Sequence, residues 1–116
     1  MTKHVQTTRQ RRSERLTAPI PVLVLGKDAQ GASFQEETTT MVVNAHGGLF
    51  LLSATVARGA RLTIEHPVTL ERQPVVVVFV GDGPEGKRQV GVEFARPAPN
   101  FWRVDYAPHD WKASAS

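Results

Sequence analysis

Apolar residues in this chain come in short runs of three to six, separated by clusters of glycine, asparagine, aspartate and proline. No stretch keeps the three-to-four-residue apolar spacing by which a helix buries one face. Runs rich in Val, Ile, Thr and Phe between turn residues predict β-strands instead. The first is expected at residues 20–25, Val- and Leu-rich beside Pro19 and Pro21. A turn over 26–31 leads to a second strand at 34–43, where three threonines run into Met41, Val42 and Val43. Residues 44–48 read as a tight turn, because Asn and Gly tolerate positive φ. Further strands are expected at 49–52, at 61–64 after the Arg58-Gly59 turn, at 75–80, and at 89–94 after a glycine-rich turn over 81–86.

About six strands with short connections predict an all-β fold, a six-stranded antiparallel β-barrel, since closure removes exposed sheet edges. The strand at 75–80 is six apolar residues in a row, five of them β-branched. A run that does not alternate is expected to be covered on both faces. One face belongs inside the barrel. The expected cover for the other is the C-terminal segment, which carries Phe101, both tryptophans (Trp102 and Trp111) and the single tyrosine, Tyr106. That aromatic segment is expected to lie on the outer face, with a short helix at 100–105 capped by Asn100.

Residues 1–17 show no apolar pattern and read as a flexible basic arm, 18–111 as the barrel domain and 112–116 as a disordered tail. At 116 residues the chain is one domain, large enough to bury a core without staples. Charge sharpens the division. The first sixteen residues hold five bases, Lys3, Arg9, Arg11, Arg12 and Arg15, against the one acid Glu14, while the whole chain carries 14 bases and 11 acids. A near-neutral body therefore bears a cationic arm, and such an arm suits an anion: a nucleic acid, a membrane surface or a phosphorylated ligand.

The chain has no cysteine, which excludes a disulfide scaffold, a thiol nucleophile and cysteine-ligated metal, and fits a cytoplasmic location. No apolar run approaches the ~18 residues of a membrane span, and the N-terminus lacks the apolar core of a signal peptide.

The segment Gly81-Asp82-Gly83-Pro84-Glu85-Gly86-Lys87 matches G-x-G-x-x-G and most of a Walker A loop. Both motifs need a helix after the glycines, so that its N-terminus meets the phosphate. Here a strand pattern follows, Arg88 stands where a magnesium-holding Ser or Thr would, and Asp82 and Glu85 would repel phosphate. A hairpin loop is the expected reading. The four histidines are scattered with no ligand spacing, no cofactor is expected, and no catalytic set is visible, so an enzyme is not expected. Glu36, Glu37, Glu65 and Glu71 read as solvated strand and turn faces.

Arg11 and Arg15 are four apart, with Arg12 between them. On its own this is an ordinary solvated tail. Yet a guanidinium is a planar fork that pairs with phosphate or with guanine O6 and N7, and its face stacks on a base. Together with the Leu16-to-Val22 segment, the Gly-rich turn after the second strand and the late Val90-Gly91-Val92-Glu93-Phe94 strand, this arm resembles the PilZ domain over roughly residues 9–106. That family is a six-stranded barrel with a C-terminal helix that commonly binds cyclic di-GMP, through R-x-x-x-R in the arm and D/N-x-S-x-x-G on a barrel turn. The resemblance implies a binding site made of Arg11, Arg12 and Arg15 with Asn44, His46, Gly47 and Gly48.

The turn departs from the second motif in every register. With Asn44 at the first position, His46 stands for Ser and Leu49 for Gly; with Gly48 last, Val43 and Ala45 stand for the polar pair; with Gly47 last, Val42 and Asn44 do. Each guanine donor left unpaired weakens binding about tenfold or more. Three readings follow, in order: a PilZ-like receiver that binds cyclic di-GMP and signals to an effector protein yet to be identified; a degenerate PilZ-like protein-interaction module that binds no nucleotide; and a small nucleic-acid-binding barrel. The third lacks the interleaved exposed aromatics that single-strand binders use, so nucleic acid ranks last among the ligands. A homodimer is open in the first two.

Overall fold

The computed structural model describes residues 15–98 and 100–103. It contains β1 (Leu16–Thr17), β2 (Pro21–Lys27), β3 (Ser33–Asn44), β4 (Gly47–Leu52), β5 (Arg61–Glu65), β6 (Arg72–Asp82) and β7 (Arg88–Phe94). Each strand pair is antiparallel. The order β3-β2-β5-β6-β7-β4 returns to β3 through the β3–β4 hairpin, so six strands close into a barrel. Among the described residues no helix is long and apolar enough to cross a membrane.

The extra strand, β1, corrects the expected arm boundary. Leu16 and Thr17 pair with Val43 and Val42, and thus join the sheet rather than the arm. β4 occupies the other edge of β3, so β1 and β2 lie end to end along one edge, β2 against residues 33–39 and β1 against 42–43. The break between them has a chemical cause. Pro19 and Pro21 have no N–H to give a ladder. Thr40 spans the gap: its hydroxyl donates to the Ala18 carbonyl at 2.6 Å and accepts from the Ile20 N–H at 2.9 Å. A buried hydroxyl thus satisfies backbone groups that the prolines leave unladdered.

Strand alternation fills the barrel. Val22 and Val24, Phe50 and Leu52, Leu62 and Ile64, Val75 and Val77, and Val90, Val92 and Phe94 are all buried. Each such side chain contributes about 1.5–3 kcal/mol by leaving water. Two β-bulges break the rhythm. One lies between Thr40 and Val42 on β3 and the other between Val77 and Phe79 on β6, and the extra residues are Met41 and Val78.

The second bulge overturns the expectation for residues 75–80. Val75 and Val77 face the core, but Val78 is 40% and Phe79 48% exposed. The extra residue shifts the alternation and leaves two large apolar side chains on the outer wall.

The C-terminal segment is placed differently too. Residues 100–102 form a turn, not the start of a helix: the Phe101 N–H donates to Ala98 and the Arg103 N–H to Asn100, and Arg103 leaves the turn at φ 57°. Phe101 and Trp102 do not lie on the outer face. They are buried in the main core, stacked edge-on to each other, with Phe101 against Phe94 and His66. Phe94 ends β7, His66 follows β5, and Ala98 is tied to the β3–β4 turn at Ala45, so the pair stops one end of the barrel. Tyr106, Trp111 and the rest of the expected helix lie outside the described residues.

The glycine-rich segment at 81–86 is a hairpin loop, as expected. Glu85 and Gly86 take φ of 58° and 77°, and β7 begins at Arg88 with no helix between.

Candidate ligand cleft

The β3–β4 connection is a two-residue hairpin, with Asn44 opposite Gly47 and only Ala45 and His46 between. The expected mechanism of this turn was wrong, for none of its residues has positive φ. The Asn44 side chain does the shaping. Its Oδ1 accepts from the His46 N–H at 2.8 Å and the Gly47 N–H at 3.0 Å, which fixes the chain reversal.

The two glycines have separate reasons. A Cβ at Gly47 would run into the Val92 carbonyl oxygen and stand 2.9 Å from the Glu93 Cα, so β4 and β7 can meet there only without a side chain. A Cβ at Gly48 would press on the Trp102 ring at 3.1 Å, so that glycine makes room for the indole that stops the barrel end.

Arg15 immediately precedes β1, and β1 is paired to the last residues of β3. The end of the arm is therefore held beside the turn. On the far side, the β6 bulge presents Phe79, whose ring lies over Gly81 and against Gly91; a Cβ at Gly91 would come within 3.2 Å of Phe79.

These parts enclose a cleft of about 480 Å³ on the barrel wall. That volume lies within the range of small-molecule sites. Arg15, Asn44, His46, Gly47 and Gly48 all line it, so five of the seven residues expected at a site meet in one place. Arg11 and Arg12 lie outside the described residues. The far wall, Val78, Phe79, Gln89 and Glu93, was not anticipated from sequence. A signal was present: Gly91 sits inside a strand, and an isolated strand glycine marks a bulge or a close approach. Arg15 and Glu93 are the charged groups among the described lining residues. The arrangement offers a cation, a polar turn and an apolar ledge around one opening, which suits an anion that carries a flat apolar part.

A closed antiparallel six-stranded barrel with a cleft where the arm meets the β3–β4 turn defines the architecture. No family model and no curated protein matches the sequence. Solved structures do. The PilZ domain with c-di-GMP of YcgR from Escherichia coli superposes with a TM-score of 0.55 at 17% identity, covering 81% of this chain and 84% of that one. The Bacillus subtilis inhibitor of motility (MotI/DgrA) superposes with a TM-score of 0.54 at 19% identity over 90% of this chain. The match takes in 46% of that protein, so the chain corresponds to less than half of it. The fold of this chain is that of a PilZ domain.

Proposed function

We propose that the chain is a non-catalytic, cytoplasmic receiver for cyclic di-GMP that passes the bound state to an effector protein. The observation that carries this reading is the convergence of Arg15 with Asn44, His46, Gly47 and Gly48 on one cleft. The likeness in fold to a PilZ domain solved with c-di-GMP supports it.

In this reading Arg15, joined by Arg11 and Arg12, forks onto the phosphates and the guanine O6 and N7 edges. Phe79 offers a base a flat apolar face. Each residue fixed on binding costs about 1–2 kcal/mol, so several charge-assisted bonds are needed to offset ordering of the arm. Ligand held between Arg15 and the turn becomes a new surface for the effector.

Calorimetric titration with cyclic di-GMP, with GTP as control, tests the reading. Saturable heat with cyclic di-GMP and none with GTP at equal concentration supports it. Absence of heat and of amide NMR shifts up to high micromolar ligand overturns it. One observation favours the second reading, a protein-interaction module that binds no nucleotide: both lone pairs of Asn44 Oδ1 are used by its own turn, and no serine stands beside it. Under that reading the exposed Val78 and Phe79 are contacts for a protein, or for a second copy of the chain.

A further inference from the structure

Among the described residues, the two most exposed large apolar side chains lie away from the cleft. Val68 is 81% and Leu70 65% exposed, and both stand on the β5–β6 connection, residues 66–71. This connection is closely tied. His66 is buried, and its Nδ1 accepts from the Val68 N–H at 3.1 Å and the Thr69 N–H at 3.4 Å. The Leu70 N–H donates to the His66 carbonyl at 2.9 Å and the His66 N–H to the Glu71 carbonyl at 3.0 Å. The Glu71 N–H donates to the Thr69 hydroxyl at 3.2 Å.

Leu70 takes φ 62°. Glycine and asparagine enter that left-handed region readily, and leucine resists it. Backbone sterics and contact with water therefore both disfavour a leucine at this position, which points to a use for the side chain. A loop hydrogen-bonded this fully holds Val68 and Leu70 out in one arrangement, so little ordering is left to oppose a contact with them.

The path of the chain says what covers them. The His66 ring meets Phe101 edge-on at 5.9 Å. Two residues on, Arg103 is exposed and takes φ 57°, so the chain leaves the end stop there. The residues that follow carry the single tyrosine, Tyr106, and the second tryptophan, Trp111. Tyr106 is three residues beyond Arg103, a reach of at most about 10 Å. Leu70 is bonded to the backbone of the residue that Phe101 touches, so the departure point of the segment and the apolar tip of the loop are neighbours. A phenol suits such a seat, since its ring covers aliphatic groups while its hydroxyl stays in water.

We propose that the β5–β6 connection is the docking site of the chain's own segment 104–111, with the Tyr106 ring lying over Val68 and Leu70. An occupant on the same chain is present at high effective concentration, so a small contact suffices to seat it. The proposal stands apart from the cyclic di-GMP reading, because no residue of this connection lines the cleft.

The test is a nuclear Overhauser measurement on the full chain with methyl-labelled valine and leucine. One tyrosine means that its ring signals need no sorting. The expected result is cross-peaks from the Tyr106 ring to the methyls of Leu70 and Val68, unchanged on dilution. Two variants check the contact, with thermal melts to confirm that each is folded. Leu70→Asn removes the apolar side chain but suits the left-handed backbone, so the loop keeps its shape while the Tyr106–Val68 cross-peaks weaken or vanish. Tyr106→Ser shifts the methyl signals of Val68 and Leu70 and leaves those of Val78 in place. Three outcomes overturn the proposal. Cross-peaks from Tyr106 to Val78 instead would seat the segment on the cleft wall. Cross-peaks that fade on dilution would give the loop to a second copy of the chain. No cross-peak from Tyr106 to Val68 or Leu70 would leave the loop to a separate protein.

Discussion

The indole N–H of Trp102 donates to the backbone carbonyl of Asn44 at 3.0 Å. The residue that stops the barrel end thus holds the residue that shapes the cleft turn. The side chain of Asn44 fixes the turn from inside while Trp102 fixes it from below, so stability and site geometry are coupled through one peptide group.

Trp102→Ala is expected to cost about 3–5 kcal/mol, the range for emptying a large aromatic from a packed core. Trp102→Phe keeps most of the packing but loses the bond to Asn44, and is expected to cost about 1–2 kcal/mol. Denaturant unfolding measures both. A wild-type midpoint for Trp102→Ala would show that the end stop contributes nothing to stability.

Asn44→Ala removes the acceptor for two turn N–H groups and is expected to cost about 1–2 kcal/mol. Asn44→Asp retains an oxygen acceptor at that position and is expected to stay close to wild type at neutral pH. Equal losses in the two variants would mean that the side-chain oxygen is not what shapes the turn.

Gly47→Ala and Gly48→Ala differ by one methyl at adjacent positions, yet their outcomes are expected to differ. At 47 the methyl meets the backbone of β7, which cannot step aside without parting the strands. A loss of about 3 kcal/mol or more is expected, at the upper end of overpacking. At 48 it meets an indole ring, and a smaller loss of about 1–2 kcal/mol is expected. Chemical denaturation of the two variants side by side would reverse the argument if Gly48→Ala proved the more harmful.

Phe79 is about half exposed, so Phe79→Ala is expected to change folding stability by about 1 kcal/mol or less. If a base stacks on it, cyclic di-GMP binding falls by about 1–3 kcal/mol. A calorimetric titration and a thermal melt on the same sample separate the two effects. A loss of stability with unchanged affinity would make Phe79 a packing residue only.

The strands were legible because each is an apolar run between turn-forming residues, and both signals are local. The closed barrel followed from edge avoidance, and the turn residues that line the cleft followed from the resemblance to the PilZ domain rather than from any local signal of their own. What was not legible depends on partners far along the chain. A bulge inside Val75-Val76-Val77-Val78-Phe79-Val80 leaves no mark in that run of similar residues; its trace lies on the partner strand, in Gly91 opposite Phe79, and reading it needs the pairing. Leu16–Thr17 is too short to show a period, and its strand exists only because Val42 and Val43 are there to pair with it. Asn44 was recognised as a turn residue, but through backbone freedom rather than through the oxygen that performs the task.

Arg11→Lys combined with Arg15→Lys keeps the charge and removes the planar forks. For a guanine-reading arm the double variant is expected to lose cyclic di-GMP affinity by about tenfold or more. A purely electrostatic tail would tolerate the exchange and bind any polyanion with the same steep salt dependence. Titrations at two salt concentrations distinguish the two cases.

The β4–β7 pairing has a consequence for kinetics. It joins Gly47 to Glu93, as β2–β5 joins Leu23 to Glu65, and strands roughly forty residues apart find each other slowly because a long loop must close first. The cleft straddles this late-forming seam, with the turn on one lip and β7 on the other. A ligand that grips both lips recognises the closed ring alone. Its presence would leave the folding rate nearly unchanged and act as a brake on opening, so occupancy would be read most directly as a slower unfolding limb.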